Sequence, residues 1–324
     1  RGVKAGRIIT FHHQKLRTET KSLENSTDDL KRWDRTIEKT DPKELKKYAN
    51  AMSLLSDKPW VRAGYDYIIN HALTNLRGEN LERYVRKAAR KRHFSTTGQM
   101  MPKGQSEKLC LKEMGIELSD FGNETIKVID IGSCTNPLEI CQHFDVTAID
   151  LEPNNDLVHK ADFLKLETKS DKIIFSGNKI VSLPENHFEL AVLSLVLSYI
   201  PLPQKRLEMI LKIKRILKTP YKCSGHDWLA MPGGRLIIIE PYSTATGGRR
   251  LSKLPILKEW CDVIESVGFE FEEYKFLGRS HALAFSVTDR SPKIDENSSR
   301  LRIPFDDEKI FDYYQIRDFR AKKK

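Results

Sequence analysis

The sequence has no run approaching the roughly 18 consecutive apolar residues that a membrane-spanning helix requires. Its opening stretch, RGVKAGRIITFHHQKLR, lacks the apolar centre and small-residue cleavage site of a secretory signal. An intracellular, cytoplasmic protein is therefore expected. Cysteine is sparse: Cys110, Cys134, Cys141, Cys223 and Cys261 are odd in number and widely scattered, with no C-x-x-C pair and no zinc-like spacing to histidine. That pattern argues against a disulfide framework and against a metal centre. Cys134 and Cys141, seven apart, are expected as reduced, buried thiols on one face of a helix. Internal repeats are absent, and so is the G-x-G-x-x-G loop that cradles a dinucleotide pyrophosphate.

What is present is an ordinary soluble composition, 39% hydrophobic and 31% charged over 324 residues, enough for one large domain and a smaller one. The formal charge of +10 is unevenly placed. Residues 1–100 hold 22 Lys and Arg against 12 Asp and Glu, leaving 33 against 33 for the rest. An acidic partner for the N-terminal part, nucleic acid or an acidic protein surface, would complement that excess.

Residues 1–25 are polar and basic without sustained apolar periodicity, and are expected as a flexible arm. From Ser26 apolar residues recur at helical spacing (Leu30, Trp33, Ile37, then Leu45, Tyr48, Met52, Leu55), and Asp41-Pro42 restarts a helix. A helical N-terminal domain is expected over residues 26–124. Beyond Thr125 the segments IKVIDIG, VTAIDL, HKADFL, FELAVLSLVL, GRLIIIEPY, FEFEEYKFL and SHALAFSVT read as strands. CTNPLEICQHF, QKRLEMILKIKRILKT and SKLPILKEWCDVIESV read as the helices between them. This alternation predicts a parallel, doubly wound α/β domain over residues 125–290. Its last two strands, separated only by Leu277-Gly278-Arg279, should close as an antiparallel hairpin, as in the class I methyltransferase variant of the Rossmann-like sheet. Residues 291–324 form a polar tail whose aromatics (Phe305, Phe311, Tyr313, Tyr314, Phe319) are expected to pack back on the domain.

The turn after the first strand, Gly132-Ser133, offers a single glycine, too few for a pyrophosphate approach. Yet Asp150-Leu151 ends the second strand 18 residues later, where a carboxylate can accept both ribose hydroxyls. S-adenosylmethionine carries a ribose diol, adenine, an amino-acid end and a sulfonium but no phosphate, and fits this combination better than NAD, with S-adenosylhomocysteine as a competing ligand. Asp162 and Phe163 are candidates for the adenine amine and ring face, and Asp130 for the ligand's amino group. Ser194-Leu195 lies at the tip of the fourth strand, beside the bound ligand. From the helical side Trp60, Arg62, Tyr65 and Arg86 are candidates for adenine and carboxylate. The competing reading of each acid is a satisfied strand-end carboxylate, and of Trp60 and Tyr65 plain core packing.

Chemistry on a nucleobase amine would call for a polar [D/N/S]-P-P-[F/Y] tip on the fourth strand. The tip here is SLVLSYIP, largely apolar. Glu240 is the one nearby candidate base and could equally bind loop amides, so no catalytic residue is assigned. Methyl transfer can nevertheless proceed by alignment, because the sulfonium is already activated. The segment YVRKAARKRHF, Tyr84 to Phe94, places cations between aromatics and is expected to meet RNA or a protein.

With these motifs in view, IDIGSCTNPLE, AIDLEP, KADFL, FELAVLSLVLSYIPLPQKRLEMILKIKRILK and LIIIEPYS resemble the SAMTOR family of S-adenosylmethionine sensors upstream of TOR signalling. That family groups with a fungal ribosomal RNA adenine-N1 methyltransferase. The resemblance spans residues 60–287. It implies a helical domain over a methyltransferase-like domain whose unliganded form associates with the GATOR and KICSTOR complexes, restrains TOR signalling, and is released by the ligand. Recruitment to the lysosomal surface through those partners follows. The family's turn glycine and strand-two acid fall on Gly132 and Asp150. The chain departs from the vertebrate sensors in a longer segment at 219–232 and in a short basic C-terminal end, which keeps RNA adenine-N1 methylation open as the alternative.

Overall fold

The computed structural model describes residues 2–20, 26–121, 124–245, 248–292 and 301–306. Eight helices lie among them: α1 (Gly2–Thr20), α2 (Ser26–Lys39), α3 (Pro42–Ser56), α4 (Pro59–Ala72), α5 (Glu79–Thr97), α6 (Gln105–Glu113), α7 (Pro203–Ile216) and α8 (Pro255–Ser266). Local chemistry starts and stops them. Asp41 caps α3 by accepting from the Lys43 N–H at 2.9 Å, with Pro42 in the first turn where its missing donor costs nothing. Gly98, in the left-handed region at φ 70°, ends α5.

The strands are β1 (Ile126–Ile131), β2 (Phe144–Asp150), β3 (His159–Lys160), β4 (Glu167–Ser170), β5 (Ile174–Ser176), β6 (Lys179–Pro184), β7 (Leu190–Ser194), β8 (Tyr221–Cys223), β9 (His226–Met231), β10 (Arg235–Pro241), β11 (Phe269–Phe276) and β12 (Ser280–Val287). The main sheet runs β11-β12-β10-β7-β1-β2-β3-β6-β4, with β5 paired to β6 and β8–β9 standing apart as a hairpin. β1 pairs in parallel with both β2 and β7, and β7 with β10. β12 is antiparallel to β10 and to β11. Counting the seven expected strands alone gives the order 3-2-1-4-5-7-6, the Rossmann-like class I methyltransferase sheet with its antiparallel closing hairpin.

The sheet is covered on both faces, which is why its central strands read as nearly unbroken apolar runs. One face packs α7, α8, Leu16 of α1 and Trp33 of α2 in a large core around Ile129, Ile131, Leu193 and Ile238. The other receives α4, through Tyr67, Ile68 and Ala72. There Gly64 brings the helix backbone onto β10, a Cβ at that position lying 3.4 Å from Ile239. A third core joins Leu81, Val85 and Ala89 of α5 with Leu111 of α6 and with Leu229 and Met231 of β9. The unusual 219–232 segment is thus the hairpin on which α5 rests.

Three expectations need correction. Gly2–Thr20, expected as part of a flexible arm, is helical, and packs against α2 and α3 with Ala5, His12, Leu16, Arg17 and Thr20 buried. The expected helix CTNPLEICQHF shrinks to one 3-10 turn, Pro137–Ile140. Cys134 and Asn136 ahead of it hold left-handed φ values of 56° and 53°, which a right-handed helix cannot continue. Cys134 and Cys141 therefore share no helical face; both thiols are free and half-buried. β4–β6 add an edge to the sheet that no expected strand covered. In the tail, Leu301 and Ile303 are buried in the large core; the side chain of Phe305 and all of Phe311, Tyr313, Tyr314 and Phe319 lie outside the described residues.

Candidate functional site

A cleft of about 860 Å3, its open mouth included, lies at the C-terminal ends of β1, β2 and β7, where open α/β sheets bind ligands. Gly132, Asp150, Leu151, Asp162, Phe163, Ser194 and Leu195 all line it. Its apolar walls include Ile131, Ile149, Ile200 and Met209. The roof comes from Trp33, Leu45, Tyr48, Ala49 and Met52 of α2 and α3.

The turn explains the glycine. Gly132 sits at φ 75°, and a Cβ there would lie 2.7 Å from Val196 Cγ2. Both the conformation and the space exclude a side chain. Asp150 holds the turn from below: its Oδ2 accepts from the Cys134 N–H at 3.0 Å and its Oδ1 from the Glu152 N–H at 2.8 Å. Burial pushes its carboxyl up to about 6, against the lowering effect of those two donors. Asp162 Oδ1 accepts from the Leu164 N–H at 3.1 Å, and burial raises this acid as well. The 163–166 backbone is gripped by Lys212 of α7, whose Nζ donates to the carbonyls of Phe163, Leu164 and Leu166.

Asp130 and Ser133 lie beneath the cleft rather than on its surface. Ser133 Oγ donates to Asp130 Oδ2 at 2.7 Å, and burial, with the nearby Asp150 charge, pushes Asp130 up to about 7. Tyr65 also misses the lining, but its hydroxyl bonds Ser194 and feels the Asp130 charge; burial raises its pKa. Trp60 does not line the cleft. Arg62 and Arg86 are placed elsewhere: Arg62 makes an exposed ion pair with Asp57 at 3.1 Å, and Arg86 joins Glu82 and Glu107 in the third core's rim. Helical periodicity put both arginines on helices without saying which way those helices dock.

The tip of β7 is held from four sides. Leu195 adopts φ 63°, an uncommon conformation for a branched residue, with its N–H donating to Ile239 O at 2.8 Å. Glu240 is fully buried and accepts from the Leu197 N–H at 2.8 Å and the Ser198 N–H at 3.3 Å. Burial lifts it to about 7. Its Oε1 anchors the loop, and Glu240 does not line the cleft. Arg206, with no exposed surface, donates to the carbonyls of Leu197, Ile200 and Leu301 and forks onto Asp306 at 2.6 and 2.9 Å. Arg17 of α1 donates to Ser198 O at 2.7 Å.

Above the tip, Tyr199 and Tyr48 approach with ring centroids 5.4 Å apart. His12 Nε2 lies 3.3 Å from the Tyr199 hydroxyl, and His13 Nε2 lies 3.0 Å from that of Tyr48. Burial and the adjacent Arg17 lower His13 to about 3, so it is neutral. Trp33, Tyr48 and Tyr199 are cleft residues that the sequence reading missed. Their only signal was a helical period, and for Tyr199 a place in the strand-four segment.

The cleft can therefore hold a flat ring in an apolar slot, a diol at Asp150, and a cation among carboxylates and tyrosine faces. No group of three His, Cys, Asp or Glu suited to a metal exists among the described residues.

A family model described as 25S rRNA (adenine(2142)-N(1))-methyltransferase, Bmt2, matches residues 88–309. The chain belongs to this family. The matched Bmt2 span begins inside α5, and so leaves out α1–α4, including the roof of the cleft. A Danio rerio protein named S-adenosylmethionine sensor upstream of mTORC1 is 30% identical over 216 residues, 61% of this chain and 51% of that one. A Xenopus laevis protein of the same name is 30% identical over 193 residues, 53% and 44% of the two chains. The chain spans about half the length of the curated relatives it matches. Among solved structures, a Methanosarcina mazei protein titled as an S-adenosylmethionine-dependent methyltransferase is 12% identical with a TM-score of 0.35, covering 52% of this chain and 95% of that one. The N-methyltransferase NodS from Bradyrhizobium japonicum, solved with S-adenosylhomocysteine, is 14% identical with a TM-score of 0.30, covering 62% and 98%.

Proposed function

We propose that this Bmt2-family chain binds S-adenosylmethionine in the cleft and serves as a sensor of that metabolite upstream of TOR signalling. The observation that carries the reading is the shared construction of the cleft: a sheet-edge floor bearing Gly132, Asp150 and Asp162, and a roof of Trp33, Tyr48 and Met52 from separate helices. A ligand between them makes contacts that exist only when floor and roof are together, and such differential affinity is what shifts a conformational equilibrium.

In this arrangement Asp150 accepts the ribose hydroxyls, Asp162 the adenine amine, and Phe163 meets the ring. The ligand's methionine end lies over the Gly132-Ser133 turn, above the buried Asp130. The faces of Tyr48 and Tyr199 are suited to the sulfonium cation. S-adenosylhomocysteine competes for the same floor. The locked Glu240 and the apolar tip favour sensing over catalysis. GATOR and KICSTOR are the proposed partners: the unliganded form of this cytoplasmic protein associates with them, is recruited through them to the lysosomal surface, and is released by the ligand.

The test combines calorimetry with partner capture. Wild-type chain should bind S-adenosylmethionine and S-adenosylhomocysteine and lose captured GATOR and KICSTOR components when the former is added. Asp150→Ala should bind neither ligand and hold its partners regardless. Ligand-responsive release that survives in a variant unable to bind would refute the sensor reading. The family match over 88–309 favours a second reading, RNA adenine-N1 methylation. Incubation with labelled methyl donor and total RNA separates the two, since transfer to one discrete RNA makes the chain an enzyme.

A further inference from the structure

The cationic segment seen in the sequence plays no part in the cleft. It forms the solvent face of α5. Leu81, Val85 and Ala89 are the buried stripe of this helix, and the opposite side, at 100° per residue, carries Arg83, Lys87, Lys91 and Phe94, all exposed. Arg90 and Arg86, on the flank, are tied to Glu107. Lys87 and Lys91 make no ion pair among the described residues, and from Arg83 to Thr97 the helix has no acidic residue.

Three cations therefore repeat at one-turn intervals of about 6 Å along the axis, a spacing comparable to that of successive phosphates in a nucleic-acid strand. Two exposed rings lie beside them, Tyr84 (40% exposed) next to Arg83 and Phe94 (52%) beyond Lys91. The Tyr84 ring is fixed by its hydroxyl, which donates to Ala230 O at 2.6 Å. Cations that track a backbone, flanked by rings on which unpaired bases can stack, are the pattern of single-strand binding. The centre of a protein interface is instead depleted of charge.

The position of α5 matters as much as its chemistry. Just ahead of it, Arg77 donates to the Glu124 and Thr125 carbonyls and to the Glu189 carboxylate, where β1 and β7 begin. The cleft lies where those strands end. At about 3.3 Å per residue, the six-residue β1 puts roughly 20 Å of sheet between the two ends.

We propose that the exposed face of α5 binds single-stranded RNA through Arg83, Lys87 and Lys91, with Tyr84 and Phe94 as stacking platforms, independently of the cleft at the opposite end of the sheet. The β8–β9 hairpin holds this helix rigid against its own small core.

The test is fluorescence anisotropy of a labelled mixed-sequence RNA 12-mer with the full chain. Three phosphate contacts give a slope of about −2 for log affinity against log salt, so a fourfold rise in salt should weaken binding about 20-fold. Lys87→Glu with Lys91→Glu should lower affinity at least about tenfold at low salt and flatten the slope toward about −0.7. The same change of charge at exposed Lys169 and Lys172 should stay within about twofold of wild type. Phe94→Ala should cost at least about fivefold. Saturating S-adenosylmethionine should leave RNA affinity unchanged. Equal losses from the two lysine pairs would reduce the effect to net charge and overturn the proposal. Tight binding of poly-glutamate in place of RNA would point to an acidic protein and overturn it too, and a several-fold response to S-adenosylmethionine would overturn the independence. Failure of the cleft to bind its ligand would leave the lysine comparison intact, so the two readings fail separately.

Discussion

Replacing Asp130 by asparagine should remove a pH dependence from the stability of the ligand-free chain. Asp130 is 1% exposed, and burial lifts its folded pKa from the usual 3.8 to about 7. For an acid shifted in this direction, the folded state still holds the proton that the unfolded chain has already released. Stability therefore falls as pH rises from about 4 to about 7, and is flat above that. Between about pH 5.5 and pH 8 the wild type crosses roughly 1.5 pKa units of that window, a loss of about 2 kcal/mol at 1.36 kcal/mol per unit. The full window, about 3 units, amounts to roughly 4 kcal/mol. Asparagine keeps the shape and can still accept from Ser133 Oγ, and it has no charge to desolvate. Urea midpoints of both chains at the two pH values give the comparison. The variant should gain on the wild type by about 2 kcal/mol more at the higher pH, a gap to which the loss of the Asp130–Asp150 repulsion belongs as well, while Glu240, present in both, contributes to each curve alike. Parallel pH profiles for the two chains would refute the assignment of a buried, ionising Asp130.

Two further outcomes follow from the same geometry. Gly132→Ala forces a left-handed alanine, costing about 1–2 kcal/mol, and drives its Cβ into Val196 at 2.7 Å; calorimetry should show S-adenosylmethionine binding abolished, and an unchanged affinity would refute the role of the turn. Arg206→Leu leaves the buried Asp306 carboxylate and three carbonyls without their shared donor, and should lower stability by about 3–5 kcal/mol; a thermal-melt change equivalent to less than about 1 kcal/mol would contradict it.

The sheet was legible because its central strands are buried on both faces and so spell continuous apolar runs, as in LAVLS and RLIIIEP. β4–β6 were not: β4 and β5 are pieces of four and three residues with only Thr168 buried between them, and β6, four of whose six residues are buried, carries no long apolar run, reading KIVSLP. The N-terminal helix hid for a different reason. Part of its buried face is polar, His12, Arg17 and Thr20, and the first two find their partners in Glu44, Tyr199 and Ser198 from distant parts of the chain. No periodicity scan registers a partner that lies 187 residues away. The floor of the cleft was readable because Gly132, Asp150 and Asp162 stand at strand ends, fixed by local sequence. The roof was not, since Trp33 and Tyr48 look like any core residue until the docking of α2 and α3 is known. Arg62 and Arg86 show the converse: favourable chemistry at positions whose helices face elsewhere.

The tip of β7 is bound from two widely separated parts of the chain. Arg17 reaches it from near the start, across 181 residues, and Asp306 secures it through Arg206 from 100 residues further on. A ribosome delivers these anchors in order, with the strand and its loop emerging long before the last one. Until residue 306 has emerged, Ser194 to Ile200 therefore has its first clamp available and not its final one. The cleft wall is completed only after residue 306 has left the exit tunnel, and closing so long a loop belongs among the slow steps of folding.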